Sequence, residues 1–341
     1  MFFFCGFIGL VLGIGLGIIV FRSDNGLVFN DLCIDPFRVP KCRNVFLSHA
    51  HADHVKLSKK SVFFATLQTI DLVRKRFGEA EFVPLEFSKK KKFNDFDLEL
   101  LPNGHLLGSA QALLSGEGKD FVFTSDFRLQ DSLLFRGITP LPCETLVLET
   151  TFGSPEYVFP KQSEVVSEMV SWVKEKSKKG LVLLSGYSLG KAQELTRISN
   201  EAGIEPIVHD SIFELNNIYE KHGVKLGNYI KLDHNLKDSG VLIMPPQLVD
   251  KHLFATLEYF DKRKVFSALA TGWKFPGAFD KIFPLSNHAD YNDLLEYVRL
   301  SNPKLILTDH GFCEEFARKL NKLGYNAKSL KQHKQKLISE Y

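Results

Sequence analysis

Six apolar runs in this chain stop on a side chain able to bind a metal or carry a proton. VFLSH ends at His49, LELLPNGH at His105, FVFTSD at Asp126, LVLE at Glu149, IFPLSNH at His288 and LILTDH at His310. Short apolar runs of this kind read as buried strands. Strands lying side by side share an edge, so separate segments would deliver their terminal groups to one place, where a rigid scaffold can hold loop residues. The densest end is Ser48-His49-Ala50-His51-Ala52-Asp53-His54, three imidazoles and a carboxylate within six residues. His and Asp are poor helix formers, and each costs desolvation unless it finds a partner. A metal is a partner that serves all four.

Spacing sharpens this. On a helix His49 and His51 would point roughly 200° apart, whereas in an extended segment His49, His51 and Asp53 share one side and the neighbouring His54 points elsewhere. One loop can therefore serve two cations, His49 and His51 the first, Asp53 and His54 the second. Imidazole and carboxylate are good zinc ligands, and three or four protein ligands with an open position make a catalytic site. A carboxylate such as Asp126 can bridge two ions about 3.5 to 4 Å apart, an arrangement that clamps the attacking and leaving oxygens of a phosphoryl displacement. Two metals imply hydrolysis.

At 341 residues the chain has room for one large core or two linked lobes. The first half is strand-rich, with strands expected at 26–30, 32–35, 45–47, 61–65, 81–84, 98–101, 111–115 and 121–124 and a helix at 67–77. From Gln162 the texture changes: helices with apolar faces alternate with strands at 181–184, 206–208, 240–244 and 264–268, the pattern of a parallel sheet covered by helices. An α/β lobe is thus inserted into a β-rich one. A net charge of +3 gives no argument for nucleic acid. The lysine groups at 89–92 and 174–179 read as a hairpin loop and a solvated helix end. Five scattered cysteines without a CxxC pair suit reduced thiols and offer no cysteine zinc site.

Residues 2–21, FFFCGFIGLVLGIGLGIIVF, carry no charge. A helix of that length spans about 30 Å, the thickness of a bilayer's hydrocarbon core, so residues 1–22 are expected to form a transmembrane anchor. Arg22, Lys41 and Arg43 all follow it, which would leave the catalytic part cytoplasmic. Gly9, Gly13 and Gly17 stand at the spacing that lets membrane helices approach.

The run from His49 to His54 resembles the HxHxDH signature of the metallo-β-lactamase fold, an αββα sandwich with a two-zinc site at its edge. PNGHLLGSAQ (His105), FTSDF (Asp126) and CIDP (Asp35) match further motifs of that fold. LVLETTFG, PLSNHAD and LTDHG look like motifs A, B and C of the β-CASP nucleases, at Glu149, His288 and His310. CIDPFRVPKCRNVFLSHAHADH, ETTFGSPEYVFP, SGYSLGKAQEL and the TGW before motif B are especially similar to ligase-associated DNA exonucleases, relatives of Artemis-type repair nucleases; messenger-RNA 3′-end processing nucleases share motifs A to C but resemble these stretches less.

The resemblance implies a metallo-β-lactamase domain over residues 26–159 and 276–341 and a β-CASP domain over 160–275. It gives His49, His51 and His105 to one zinc, Asp53, His54 and His310 to the other, and Asp126 to both, with Asp35 supporting the ligands. Manganese is the alternative metal. A hydroxide held between the ions would attack phosphorus, and His288, paired with Glu149, would protonate the leaving oxygen, so Asp53, Asp126, Glu149 and His288 carry the chemistry. SGYSLGKAQE, a small-residue loop opening a helix, would hold a substrate phosphate at Ser188, Gly190 and Lys191.

The expected activity is DNA exonuclease action in repair, alongside DNA ligase or helicase proteins. RNA processing is the alternative, since in eukaryotic members a His at motif C marks RNA enzymes and a Val DNA enzymes, although the ligase-associated group also carries His. A small-molecule hydrolase is the third reading; the inserted lobe, suited to covering a polymer, argues against it. Asn287 departs from the Asp usual in the ligase-associated group, and a membrane helix lies outside the family pattern.

Overall fold

The computed structural model describes residues 11–14, 18–23, 26–116, 118–233, 236–274 and 279–330. β1 (Val11–Ile14), β2 (Ile18–Ser23), β3 (Gly26–Phe29), β4 (Leu32–Ile34), β5 (Asn44–Phe46), β6 (Val62–Thr66) and β7 (Glu81–Leu85) form a seven-stranded sheet in that order. Its first half is antiparallel and its second half parallel. α1 (Leu67–Phe77) makes the crossover from β6 to β7; Thr66 caps it by accepting the Thr69 amide. A second sheet takes β8 (Lys90–Lys92), β9 (Asp97–Pro102), β10 (Ala110–Gly116), β11 (Lys119–Phe123) and β12 (Thr145–Glu149), completed by two strands from the end of the chain.

Period-two burial explains why the two sheets stack. Leu27 and Phe29 of β3 face Leu98 and Leu100 of β9, Ala112 of β10 and Phe121 of β11 in one apolar layer, whereas Val28 turns outward to Ile70 and Val73 of α1. Each such residue, fully buried, stabilises the fold by roughly 1.5–3 kcal/mol.

The chain then leaves the sandwich. α2 (Gln162–Lys176), β13 (Leu181–Ser185), α3 (Lys191–Glu201), β14 (Ile207–Val208), α4 (Asp210–Lys221), β15 (Ile230–Lys231), β16 (Val241–Met244), α5 (Lys251–Asp261), β17 (Val265–Ala270) and β18 (Lys281–Phe283) build a lobe. Its six strands are all parallel, ordered β15-β14-β16-β13-β17-β18. β13, up to its terminal Ser185, and β16 are apolar because helices cover both faces: Met169 of α2 and Leu195 of α3 on one, Leu257 of α5 on the other. The chain returns through α6 (Tyr291–Ser301), β19 (Leu305–Asp309), α7 (Cys313–Lys322) and β20 (Ala327–Ser329); β19 inserts between β12 and β20, and both helices pack on the outer face of the second sheet. The layers read αββα with an inserted α/β lobe.

Three expectations change. The N-terminal transmembrane helix is not formed: Val11–Ile14 and Ile18–Ser23 pair antiparallel as a hairpin, with Gly13 opposite Ile19, and the hairpin extends the first sheet through β3. The physical reason is local. Val, Ile and Phe favour strands, whereas interior glycines each cost a helix about 1 kcal/mol. No helix among the described residues is long and apolar enough to cross a membrane; Gly9 and Gly17 lie outside the described residues. Second, Lys281–Phe283 belongs to the lobe's sheet, paired with β17, so the passage back to the sandwich follows Phe283 rather than residue 276. Third, Lys90–Lys92 form an exposed edge strand rather than a loop, and lysines there discourage pairing with another chain.

Candidate metal centre

β4 runs directly into Asp35, whose buried carboxylate organises the first ligand segment. Oδ1 accepts the Ser48 amide (2.8 Å), and Oδ2 accepts both the Ser48 hydroxyl and His54 Nδ1–H (2.8 Å for the latter). Ser48 Oγ, having given its proton to Asp35, accepts from His49 Nδ1 at 2.9 Å. The segment is not extended throughout. A turn closed by the His54 amide on the His51 carbonyl (3.1 Å) swings His54 back toward Asp35, which is how three histidines of one loop reach one centre.

The other rings are oriented by backbone carbonyls. His51 Nε2 donates to Leu189 O (3.3 Å), and His105 Nδ1 to Asn287 O (2.9 Å). A carbonyl or a carboxylate only accepts, so each contact fixes the tautomer and leaves the opposite ring nitrogen with a lone pair. Those nitrogens converge: His51 Nδ1 lies 3.2 Å from His49 Nε2 and 3.1 Å from His105 Nε2, while Asp126 Oδ2 stands 3.5 Å from His49 Nε2, 3.4 Å from His54 Nε2 and 3.8 Å from His105 Nε2. Lone pairs facing one another need a cation between them. His54 Nε2 is buried without a hydrogen-bond partner. The donor set therefore fits a divalent metal, with His49, His51, His105 and Asp126 all placing a ligand atom within 4.8 Å of one another.

Electrostatics agree with ligation. Burial holds His49, then His54 adds to it, and burial holds His105 likewise, both well below the ordinary imidazole value; burial brings His51 down to about 4. All three are neutral at pH 7, as ligands must be. Burial also disfavours charge on His54, but the Asp126 and Asp35 carboxylates outweigh it and raise its pKa well above the ordinary value. Burial of Asp126 is likewise outweighed, by His54 and His288, which hold its carboxyl well below the usual range.

The remaining predicted residues surround this centre at different distances. Asp53 Oδ2 is 3.8 Å from His54 Nε2, yet the side chain is 71% exposed. His310 stacks on the His54 ring, centroids 5.2 Å apart, and its backbone takes a left-handed φ of +60°. Neither belongs to a group of three candidate ligand atoms within 4.8 Å. His288 arrives from the lobe side and sets Nδ1 3.1 Å from Glu149 Oε1, with its ring 4.7 Å from that of His105. Burial lowers the pKa of His288, but Glu149 and Asp126 raise it by more. In the loop before α3, the free amide expected at Gly190 is taken: it donates to Gln193 Oε1 at 2.6 Å. Ser188 Oγ lies 3.5 Å from Ser211 Oγ, and Lys191 Nζ donates to Leu285 O. Lys191 nonetheless lines one cavity with His51, His105 and His288.

Ser48, Ser125 and Leu189 are holders that sequence reasoning missed, and Asn287, noted there only as a departure from the usual Asp, holds His105 through its backbone carbonyl. Ser125 Oγ donates to Ser48 Oγ at 2.6 Å; its position just before Asp126 was the available signal. Asn287 also returns an Nδ2–H to His105 O at 3.3 Å, so an amide here ties the lobe's end to the ligand loop on both sides.

Residues 281–330 match a family model described as the Zn-dependent metallo-hydrolase RNA specificity domain. The chain is 35% identical to a probable DNA ligase of Opitutus terrae, over 83% of this chain and 28% of that one. It is 24% identical to the probable RNase MJ4 of Methanocaldococcus jannaschii, over 78% and 81%, and 25% identical to the DNA cross-link repair 1A protein of Gallus gallus, over 80% and 31%. The chain thus spans less than a third of the Opitutus and Gallus relatives. A crystal structure of a protein of unknown function from Enterococcus faecalis superposes with a TM-score of 0.61 at 17% identity, covering 86% of this chain and 80% of that one, a likeness of fold. Fold and site together define a metallo-hydrolase of the metallo-β-lactamase fold. The parallel-sheet lobe between β12 and α6, with the relatives just described, narrows this further and supports a β-CASP metallo-β-lactamase nuclease.

Proposed function

We propose that this chain hydrolyses phosphodiester bonds of DNA, removing nucleotides exonucleolytically in repair. The observation that carries the reading is the His288–Glu149 pair, 3.1 Å apart, standing beside the convergent His49, His51, His105 and Asp126. His49, His51, His105 and Asp126 would hold one divalent ion, and Asp53, His54 and His310, sharing Asp126, a second. Zinc, with manganese as the alternative, would supply Lewis acidity and an activated water there. The residues of the chain do the rest. Glu149 orients the His288 ring and favours its protonated form, so that His288 can give a proton to the departing oxygen. Ser188 and Lys191 contribute polar contacts to a substrate phosphate, without the Gly190 amide.

DNA is favoured by the Opitutus and Gallus relatives, whose names are those of a ligase and a repair protein. The Opitutus match, a part of a longer ligase-named chain, supports a working partnership with DNA ligase. RNA is the second reading, favoured by the RNA specificity description of the family model over 281–330 and by the relative named an RNase. End-labelled DNA and RNA oligonucleotides of one sequence, incubated with the chain and zinc or manganese, decide between them. Stepwise shortening of DNA, abolished at least about 100-fold by His288→Ala, is expected. Cleavage of RNA alone would transfer the reading to RNA processing, and no cleavage of either would end it.

A further inference from the structure

The cavity holding His51, His105 and His288 continues past them. Phe152 and Trp273 form part of its wall, and Thr271, Gly272 and Trp273 are shared with an adjoining groove of about 510 Å³ that Tyr157 and Lys274 also line. The rings follow one another outward: His288 to Phe152 at 6.0 Å between centroids, Phe152 to Trp273 at 4.7 Å, Trp273 to Tyr157 at 5.5 Å. Gly272 permits this approach, since a Cβ there would stand 2.6 Å from Phe152 Cζ. Trp273 stays partly exposed at the junction of the two spaces. Across the cavity, on the loop between β13 and α3, Tyr187 is 60% exposed, and among the described residues its ring and hydroxyl have no partner. Lys274 Nζ sits 5.5 Å over the Tyr157 ring and pairs with Glu156 at the rim (3.0 Å).

Aromatic rings left open beside a hydrolytic centre, with a lysine at each end of the path, match the chemistry of bases on a sugar-phosphate chain. We infer that this groove takes the unpaired bases of single-stranded nucleic acid, stacked on Trp273 and Tyr187, and so leads a strand end to His288. The inference rests on the phosphodiesterase reading above and adds its substrate form. A base offers its face to a ring only when unpaired from the stack, so a duplex, whose faces are covered, cannot use these surfaces. Stacking of this kind is tolerant of sequence.

Fluorescence anisotropy on the full chain tests it with three probes of one length: a single-stranded DNA oligonucleotide, the same strand with abasic sites at its terminal positions, and a blunt duplex. The intact single strand is expected to bind about tenfold or more tightly than either other probe, and Trp273→Ala and Tyr187→Ala each to weaken it about 5- to 100-fold. Trp273→Phe should retain most of the affinity. Tyr187, 60% exposed and outside every apolar core cluster, guards against a variant that merely misfolds. Equal binding of intact and abasic strands, or unchanged affinity in Tyr187→Ala and Trp273→Ala, overturns the inference. Turnover of bis(p-nitrophenyl) phosphate by the unaltered chain reports the phosphodiesterase chemistry separately, so failure of that reading and failure of the groove give different results.

Discussion

Asp35 touches two histidines of the candidate metal centre through one carboxylate, directly at His54 Nδ1 and through the Ser48 hydroxyl at His49 Nδ1. Asparagine at this position keeps the size but not the capacity: one oxygen cannot accept the Ser48 amide, the Ser48 hydroxyl and the His54 ring together, and the new NH2 faces a donor. The His54 ring is then free to take the tautomer that puts a hydrogen where its lone pair stood. Asp35→Asn is expected to lower zinc affinity about 10- to 100-fold, measured by competition with a chromophoric chelator; unchanged affinity would show that Asp35 orients neither ring. At this scale His49, His105 and Asp126 were legible in sequence because each closes an apolar run, and His51 and His54 because they crowd beside His49. The carbonyls of Leu189 and Asn287 were not, since a backbone acceptor has no residue signature and these lie 138 and 182 positions from the histidines they hold.

α3 begins with a buried lysine, an arrangement a helix resists. The positive end of the helix dipole and the loss of water both disfavour charge at Lys191, and burial, opposed by Glu194 and assisted by Arg128, brings its pKa down to about 7. The folded amine therefore loses its proton well below the unfolded one, whose value is about 10.5. Between those values the unfolded chain binds more protons, so stability rises with pH across the window from about 7 to about 10.5 and is lowest at and below pH 7. Lys191→Met removes the titration. Relative to that variant, the unaltered chain should gain on the order of 2 kcal/mol between pH 7 and pH 9 in urea denaturation; a constant difference would mean that the folded amine stays charged. Elements such as α3 were readable because strand and helix alternate cleanly around them. The N-terminal run was misread because a long uncharged stretch carries no period: length argued for a membrane helix, while its β-branched residues and glycines fitted a hairpin added to the edge of β3.

At the scale of the whole molecule, function depends on how lobe and sandwich meet, because His288 enters from one and Glu149 from the other. α1 and α4 are joined at the surface by Lys75–Glu214 and Lys221–Asp71, pairs worth little each. The buried ion pair between lobe and sandwich is Arg128 with Glu194, Nη2 to Oε1 at 2.7 Å with both side chains almost inaccessible. Arg128 stands two residues past Asp126, beyond where the FTSDF motif draws attention, and its partner sits on α3 of the other lobe, so nothing local in the sequence pairs them. The contact is close but poorly aligned: Arg128 Nε, Nη1 and Nη2 and Glu194 Oε2 are all buried without a hydrogen bond. A pair in that state recovers little of its desolvation cost, and its worth lies in fixing how the lobes meet. Arg128→Met alone would strand the Glu194 carboxylate in the interface and should cost about 3–5 kcal/mol; Arg128→Met with Glu194→Met should return stability to near the unaltered value or above it. Urea midpoints of the unaltered chain, both single variants and the double variant give the coupling directly. If the double variant is stable yet slow on oligonucleotides, the pair serves alignment of His288 over the metal centre; if it is as unstable as the worse single variant, the pair is a net source of stability and the desolvation argument is wrong.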